Sequence, residues 1–408
     1  MDAYITKIRI EELRHLHNIE ISLSQNEKKH LIITGKNGSG KTTLLNAIRD
    51  YLVAINDGVL NKLKSDYMNW LNNSKIDLSK ATESNKAELK KNYDIFLQQV
   101  DRYKKGIDIE FMNETCIDTL FEEGNFITAF YAADRKTSMF MPTGVEKVSL
   151  KEKYGINESA GTAFVKYMLH LKTQQSYATI EHDHELDGKI QDWFDRLEKF
   201  LKIILDKDDI KLDFDYKNYN FTICEGGRDP FGFNELSDGY SAVIEILADL
   251  MLRMENDWLK NKDAINLCDK QGIVLIDELE THLHVELQKK ILPALITIFP
   301  NIQFIVSTHS PYVLSSVENA VGYDLEHQES IENMWLYTAD QLAESYFDTE
   351  GFSARLRDEV ARYNELVKTT QPTDEERAER ARLRIKLKNT MNNSTLTSIL
   401  EDIEDDKN

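Results

Sequence analysis

Apolar positions along the 408-residue chain alternate between two spacings. Near the start, Ile8 and Ile10, then Ile19, Ile21 and Leu23, interleave with polar residues. This predicts two half-buried strands, Tyr4–Ile10 and Ile19–Leu23, joined by a polar turn around Arg14–Asn18. His30–Thr34 reads as a buried strand, and Lys41–Val53 changes to helical spacing. From about 57 to 105 the chain turns rich in Lys, Asn and Asp. Here Leu60, Leu63, Tyr67 and Leu71, and again Tyr93, Phe96, Val100 and Tyr103, recur at intervals of three and four. Two helices are expected, paired as an antiparallel hairpin inserted into the sheet. At about 1.5 Å per residue its arms reach only a few tens of ångströms, too short for a long coiled coil.

Strands are next expected at Gly106–Phe111 and Phe126–Tyr131, the second running into AADRKTS. Residues 136–160 read as a surface loop, 160–175 and 185–205 as helices, and 209–216 with 219–224 as a hairpin. A helix follows to about Asn256, then an apolar strand Gly272–Asp277, a helix from Val285 and a strand Gln303–Ser307. The last legible feature is a second helical hairpin. Phe352, Leu356, Val360, Tyr363 and Val367 mark one arm; Leu383, Leu387 and Met391 mark the other. Between the arms Thr373 and Glu376 have capping-box spacing. The terminal EDIEDDKN reads as a frayed acidic tail, and no internal repeat is visible.

Composition narrows the class. With 41% hydrophobic and 29% charged residues the chain is of globular type, and its formal charge is −20. That charge argues against broad, permanent contact with nucleic acid while leaving room for a local basic groove. The three cysteines, Cys116, Cys224 and Cys268, lack metal-ligand spacing and suggest a reducing compartment. The first residues lack the apolar run of a signal peptide, and no apolar stretch approaches the roughly 20 residues that span a bilayer. A cytoplasmic protein with no membrane contact is expected.

Three motifs carry chemistry. GKNGSGKT (Gly35–Thr42) fits G-x-x-x-x-G-K-[ST], between a strand and a helix as a phosphate loop requires. Its backbone N–H groups, across Asn37, Gly38, Ser39 and Gly40 and into Thr43, would turn toward a phosphate at a helix N-terminus. Lys41 would reach the β- and γ-phosphates of ATP, and Thr42 would ligate Mg²⁺. GIVLIDELETHLH (Gly272–His284) is an apolar strand ending in two carboxylates. Asp277 would hold Mg²⁺, and Glu278 would polarise the attacking water. QFIVSTHSPYVL (Gln303–Leu314) is a strand followed by a turn in which His309 would sense the γ-phosphate. The His282/His284 pair lacks a nearby third ligand, so a turn lining the nucleotide or a subunit contact is expected there in place of a zinc site. EHDHELD at 181–187 reads as a solvated helix start.

A fourth segment, NELSDGYSAVIEI (Asn234–Ile246), follows the phosphate loop by some two hundred residues and opens a helix. Phosphate loop, LS-x-G-[QY], apolar strand with Asp-Glu, and strand with STHS, in that order, resemble an ABC-type ATPase head. The resemblance is to the soluble RecF/SMC-like and OLD-like group and covers residues 1–320. It implies an α/β fold: a P-loop sheet with an antiparallel β subdomain, a signature-bearing helical lobe at about 135–256, the short insertion at about 57–105 and a C-terminal helical region at 321–408. It implies a homodimer in which two ATP molecules sit head to tail, with higher assembly left open. Ser237 and Gly239 would donate to the partner's γ-phosphate, which accounts for their separation from the phosphate loop. Asp238 replaces the commoner Gly and Tyr240 the commoner Gln. Leu279 stands where many members have Pro. The Gln that closes the Phe126–Tyr131 strand in transporters is missing; Arg135 is the candidate there for a phosphate or interface contact. Arg14 resembles the Arg of SMC-like heads and would approach the nucleotide.

The layout, with a compact helical insertion and a C-terminal hairpin, resembles the ATPase of the Septu antiphage system. This implies a separate effector, such as an HNH nuclease, controlled by the nucleotide state. The alternative is a RecF/SMC-like ATPase of DNA repair or chromosome organisation that clamps DNA; the engine of a transporter is disfavoured by the missing Gln and the insertion. Residues 310–408 are too few and too helical in pattern for the Toprim nuclease of OLD proteins, so no intrinsic nuclease is expected.

Overall fold

The computed structural model describes residues 2–135, 142, 144–146, 148–255, 270–346, 354–369 and 372–390. They form two compact units, Met1–Leu342 and Ala343–Asn408. The first opens with β1 (Ile5–Leu13), β2 (Leu16–Ser22), β3 (His30–Thr34) and α1 (Lys41–Asn56). Next come α2 (Leu60–Lys62), a π-helical turn Leu63–Tyr67, α3 (Met68–Ser79), α4 (Lys86–Lys104), β4 (Ile107–Phe111), α5 (Ile117–Glu122) and β5 (Phe126–Tyr131). A lobe follows with α6 (Phe164–Glu181), α7 (His184–Leu205), β6 (Lys211–Asp215), β7 (Asn220–Cys224), β8 (Phe231–Gly232) and α8 (Asp238–Met254). The unit closes with β9 (Gln271–Ile276), α9 (Val285–Ile298), β10 (Ile302–Ser307), α10 (Pro311–Leu314), β11 (Ala320–Asp324) and β12 (Glu329–Ile331).

The central sheet has the order β12-β11-β3-β10-β9-β5, all parallel except the antiparallel edge strand β12. Its middle strands are buried along their length: HLIIT, QGIVLI and IQFIVS admit little polar alternation because both faces are covered. A second sheet, β2-β1-β4, is antiparallel and shows the expected alternation, with Ile8 and Ile10 inward and Arg9 and Glu11 outward. Buried Gln303 sews the two sheets together. Its Oε1 accepts from Ile5 N at 2.7 Å, and its Nε2 donates to the carbonyls of Ile5 and Lys29. Leu44, Leu45, Ile48, Tyr51, Leu52 and Ile55 of α1 fill the space between the sheets. The α/β head with an antiparallel subdomain and a helical lobe is therefore the fold expected from the sequence.

Some boundaries differ. The helical insertion leads from α1 into β4, which belongs to the antiparallel sheet and not to the nucleotide-binding one. Asp57 closes its base, accepting from Tyr103 Oη at 2.8 Å and Arg102 Nη2 at 3.0 Å. The rings of Tyr67, Trp70 and Phe96 join its arms. Within the expected surface loop, the stretch 148–160 is partly interior: Ile156 and Ala160 are buried, and Arg253 donates to the carbonyls of Gly155 and Glu158. The head also runs past residue 320, because β11 pairs with β3 along its whole length.

In the lobe, α8 is tied to the central sheet through buried charge. Arg253 Nε meets Asp249 Oδ2 at 2.6 Å, with both side chains almost wholly buried. Tyr131 Oη donates to the same carboxylate oxygen at 2.6 Å, and Arg253 Nη1 to the Thr128 carbonyl at 3.0 Å. A buried pair is worth keeping only when its remaining hydrogen-bonding capacity is met, as it is here. The second unit contains α12 (Ala354–Lys368) and α13 (Asp374–Thr390), preceded by α11 (Ala339–Tyr346), which crosses the unit boundary. Arg362 on α12 grips Glu379 on α13 with two hydrogen bonds. The capping box is present: Thr373 N donates to Glu376 Oε2, and Glu376 N to Thr373 Oγ1. Phe352, Met391 and the acidic tail lie outside the described residues. No helix among the described residues is long and apolar enough to cross a membrane.

His30 gives this fold a pH dependence. Its Nδ1 accepts from Phe304 N at 3.0 Å, and burial, helped by Lys28, depresses its pKa from 6.5 to about 3. The unfolded chain takes up this proton near 6.5 and the folded chain does not, so stability falls as pH drops below 6.5 toward 3. The slope is at most about 1.4 kcal/mol per pH unit. In His30→Asn the amide oxygen can still accept from Phe304 without titrating. Urea unfolding at pH 7, 6 and 5 should give a shallower decline for the variant; parallel curves contradict this assignment.

Candidate functional site

Parallel pairing sets Ile33 of β3 beside Ser307 of β10, and Val306 beside Ile276 of β9. The phosphate loop, the acidic turn and the histidine turn thus leave one edge of the sheet together, the carboxyl edge where such sheets take ligands. Between Thr34 and Lys41 the loop turns through Gly35, Gly38 and Gly40, with φ of 132°, 86° and 104°. These left-handed values favour glycine. The loop ends on Gly40, the N-cap of α1, where no side chain takes the cap. The first amides of α1 are thus left for an anion.

Lys41 is 5% exposed, and its Nζ donates to the carbonyls of Gly35 (2.7 Å) and Lys36 (3.0 Å). Burial lowers its pKa, while the carboxylates of Glu278, Glu280, Asp277 and Asp324 pull it upward. Asn37 and Gly38 are exposed, as is Thr42 in the first turn of α1; Ser39 and Thr43 are half-buried. The hydroxyls of Thr34 and Ser39 are buried beside the loop without a hydrogen-bond partner.

Opposite the loop, a ladder of contacts joins the acidic turn to the histidine turn. Ser307 Oγ donates to Asp277 Oδ1 at 2.5 Å and accepts from Glu278 N at 2.9 Å. Leu279 N reaches the Ser307 carbonyl at 3.1 Å. Glu280 then bridges forward: its Oε2 accepts from Thr308 Oγ1 at 2.7 Å and its Oε1 from His309 N. Glu278 is held at φ 46°, a left-handed conformation that is costly for a residue with a side chain. Burial and the Lys41 charge lower the His309 pKa, which favours neutral imidazole, although Glu280, Glu278 and Asp277 act the other way.

The remaining sequence candidates fall less simply. Arg135, the candidate for a phosphate or interface contact, turns its guanidinium to backbone carbonyls. Its Nη1 donates to the carbonyls of Ala132 and Asp277, and its Nη2 to that of Glu278. Arg14 is exposed at φ 56°; its neighbour His15 is the residue of that turn that meets the loop, with Nε2 donating to the Ser39 carbonyl at 3.0 Å. Ser237 is the exposed N-cap of α8 and makes no cap bond with its side chain, and Asp238 beside it is exposed. Gly239 is buried against the acidic turn, where a Cβ would lie 2.3 Å from the His282 carbonyl oxygen. Close backbone approach therefore explains the glycine.

Sequence reasoning missed Glu280, His15 and Asp324. Asp324 is fully buried at the end of β11, with its Oδ1 3.1 Å from where a Gly35 Cβ would stand. Its Oδ1 accepts from Glu326 N, its Oδ2 meets His327 Nδ1 at 2.5 Å, and Glu326 pairs with Lys36. The DELE spacing offered a signal for Glu280; nothing around Asp324 sets it apart. Glu280→Ala would leave the Thr308 hydroxyl and the His309 amide without their acceptor. A loss of about 1–3 kcal/mol is expected on urea unfolding, with a smaller loss in Glu280→Gln. An unchanged midpoint for the alanine variant would show that the bridge carries no weight.

Two family models match the chain. One, described as "ABC transporter", covers residues 16–129, and one, described as "AAA domain, putative AbiEii toxin, Type IV TA system", covers residues 146–315. Septu protein PtuA of Bacillus mycoides (strain KBAB4) is 24% identical over 335 residues, covering 80% of this chain and 41% of that protein. "Retron Ec83 probable ATPase" of Escherichia coli is 38% identical over 102 residues, a quarter of this chain and 16% of that protein. "Retron Vc95 probable ATPase" of Vibrio cholerae serotype O1 biovar El Tor is 41% identical over 98 residues, 24% of this chain and 18% of that protein. The chain thus spans less than half the length of these relatives. With these matches and the three turns gathered at one sheet edge, the chain is similar to ABC-type ATPase heads and, in layout, to the Septu ATPase.

Proposed function

We propose that the chain binds and hydrolyses ATP between two copies of itself and acts as the sensing subunit of an antiphage defence complex, controlling a separate nuclease. The observation that carries this reading is the meeting of Lys41, Asp277, Glu278, Glu280 and His309 at one sheet edge, while Ser237 stands exposed at the start of α8. The loop amides from Asn37 to Thr43 and the N-terminus of α1 hold the phosphates. Lys41 exchanges its carbonyl partners for phosphate oxygens. Thr42 and Asp277 are hard oxygen donors suited to Mg²⁺. The ion, when bound, neutralises charge on the β- and γ-phosphate oxygens.

Glu278, with its backbone fixed on both sides, polarises the attacking water. Neutral His309 can donate toward the developing charge, which an imidazole bonded through its backbone to Glu280 is placed to do. Ser237, with its hydroxyl outside the helix cap, serves the site of the second copy, and the positive end of α8 adds to it. Such a site assembles only when two heads close, so turnover is slow and the closed dimer is the signalling state. The similarity to Septu and retron proteins supports the defence role, and a separate effector such as an HNH nuclease is part of the same proposal.

Glu278→Gln is expected to retain ATP and accumulate as a dimer in light scattering, whereas Glu278→Gln combined with Ser237→Arg stays monomeric. Equal behaviour of the two proteins would remove the composite site from the account. The purified chain should hydrolyse ATP and leave DNA intact; metal-dependent cleavage by the chain alone would contradict control of a separate nuclease.

A further inference from the structure

We propose that Arg135 is a positioning residue for hydrolysis, acting through the backbone of Asp277 and Glu278. The proposal rests on the reading that Glu278 polarises the attacking water. Arg135 follows β5, whose Tyr131 lies in register with Ile276 of β9 and whose carbonyl accepts from Asp277 N at 2.8 Å. The two strand ends therefore separate together, and Arg135 spans the gap between them. Its guanidinium gives 2.9 Å and 2.8 Å bonds from Nη1 to the carbonyls of Ala132 and Asp277, and a 3.0 Å bond from Nη2 to that of Glu278. Its Nε is buried without a partner. These donors face the protein backbone, which argues against a direct phosphate contact.

What the three bonds accomplish follows from the backbone of Glu278. A left-handed residue with a side chain persists only where its surroundings over-determine it. The Glu278 amide is fixed by Ser307 Oγ, and its carbonyl by Arg135. With both peptide groups held, the Cα–Cβ direction is set, and with it the range the carboxylate can sweep. A planar fork with several fixed donors holds carbonyls from two chain segments in one set geometry, whereas a lysine ammonium in the same space is a single point on a flexible stem. Burial lowers the pKa of the guanidinium, and the carboxylates of Glu245 on α8 and of Asp277, Glu280 and Glu278 act the other way. Arg135 thus links the end of β5 to the acidic turn, and β5 is the strand that Tyr131 and Thr128 tie to Asp249 and Arg253 of α8.

The test uses the full chain with Arg135→Lys and Arg135→Ala, measuring ATP affinity with a fluorescent ATP analogue, and kcat and KM by phosphate release. Both variants should keep native nucleotide affinity while kcat falls on the order of 10²-fold, the scale of a misplaced catalytic group. Added methylguanidinium should restore part of kcat in Arg135→Ala and none in Arg135→Lys, whose ammonium occupies the site. A merely structural arginine would lower the unfolding midpoint without this split between kcat and affinity and without rescue. Native kcat in either variant overturns the proposal, as does a loss of affinity that matches the loss of kcat. Should Arg135→Ala fail to fold, the kcat and affinity of Arg135→Lys decide. Glu278→Gln separates the two levels: if it hydrolyses ATP like the native chain, the reading of Glu278 fails and this inference with it. If Glu278→Gln is inactive and the Arg135 variants are native, only the positioning role fails.

Discussion

A buried ammonium among carboxylates organises this molecule. Taking Lys41 out of water costs several kcal/mol unless partners replace its hydration. Two loop carbonyls and the carboxylates of Asp277, Glu278, Glu280 and Asp324 do so. Those groups belong to segments far apart in sequence, and they meet because β3, β9, β10 and β11 run parallel and end at one edge. The buried strands therefore fix the chemistry: their register places Ser307 where it can serve Asp277 and Glu278 together. The same crowd of carboxylates would repel a polyphosphate, and the loop amides, Lys41 and, in the proposed reading, a divalent cation would oppose that repulsion.

The helical lobe is joined to this edge at two levels. Gly239 lies directly on the His282 carbonyl, so the first turn of α8 cannot move without pressing on the acidic turn. Three turns further along, Asp249 and Arg253 bind α8 to β5 through fully buried polar bonds. Shifting this charge network costs more than shifting an apolar contact, because any broken bond leaves an unpaired group in the interior. Such an arrangement suits a head that moves as one body and closes on a second copy, and suits less a site that reshapes itself around each nucleotide.

Much of the site was legible because its motifs are local. GKNGSGKT, IDEL and STHS each lie at the end of a short apolar run, and a buried strand announces itself without long-range information. The capping box at Thr373 was legible for the same reason, since both of its bonds span three residues. What was missed depends on distance in sequence. Arg135 read as a candidate phosphate or interface contact, and its bonds to the carbonyls of Asp277 and Glu278 were hidden because these lie 142 and 143 residues away. Arg14 drew attention by residue type, and the bond from His15 beside it to the Ser39 carbonyl was not foreseen, since it depends on how the β1–β2 turn lies against the loop. The loop before α6 read as surface because its polar composition conceals Ile156 and Ala160, and its carbonyls find Arg253 only in the folded chain. Asp324 carries no signature in sequence; burial at the end of β11 gives it its place.

The central claim is that Lys41 of one copy and Ser237 of another complete a single hydrolytic site. Mixing two inactive proteins tests it most directly. Lys41→Ala cannot hold the nucleotide but keeps Ser237, and Ser237→Arg keeps the phosphate loop but blocks the surface that serves the partner. Neither should hydrolyse ATP alone. Mixed together, they should form heterodimers with one intact site and regain hydrolysis, measured as phosphate release that rises with the concentration of the second protein. A mixture that stays inactive at every ratio, while heterodimers form, would contradict the account.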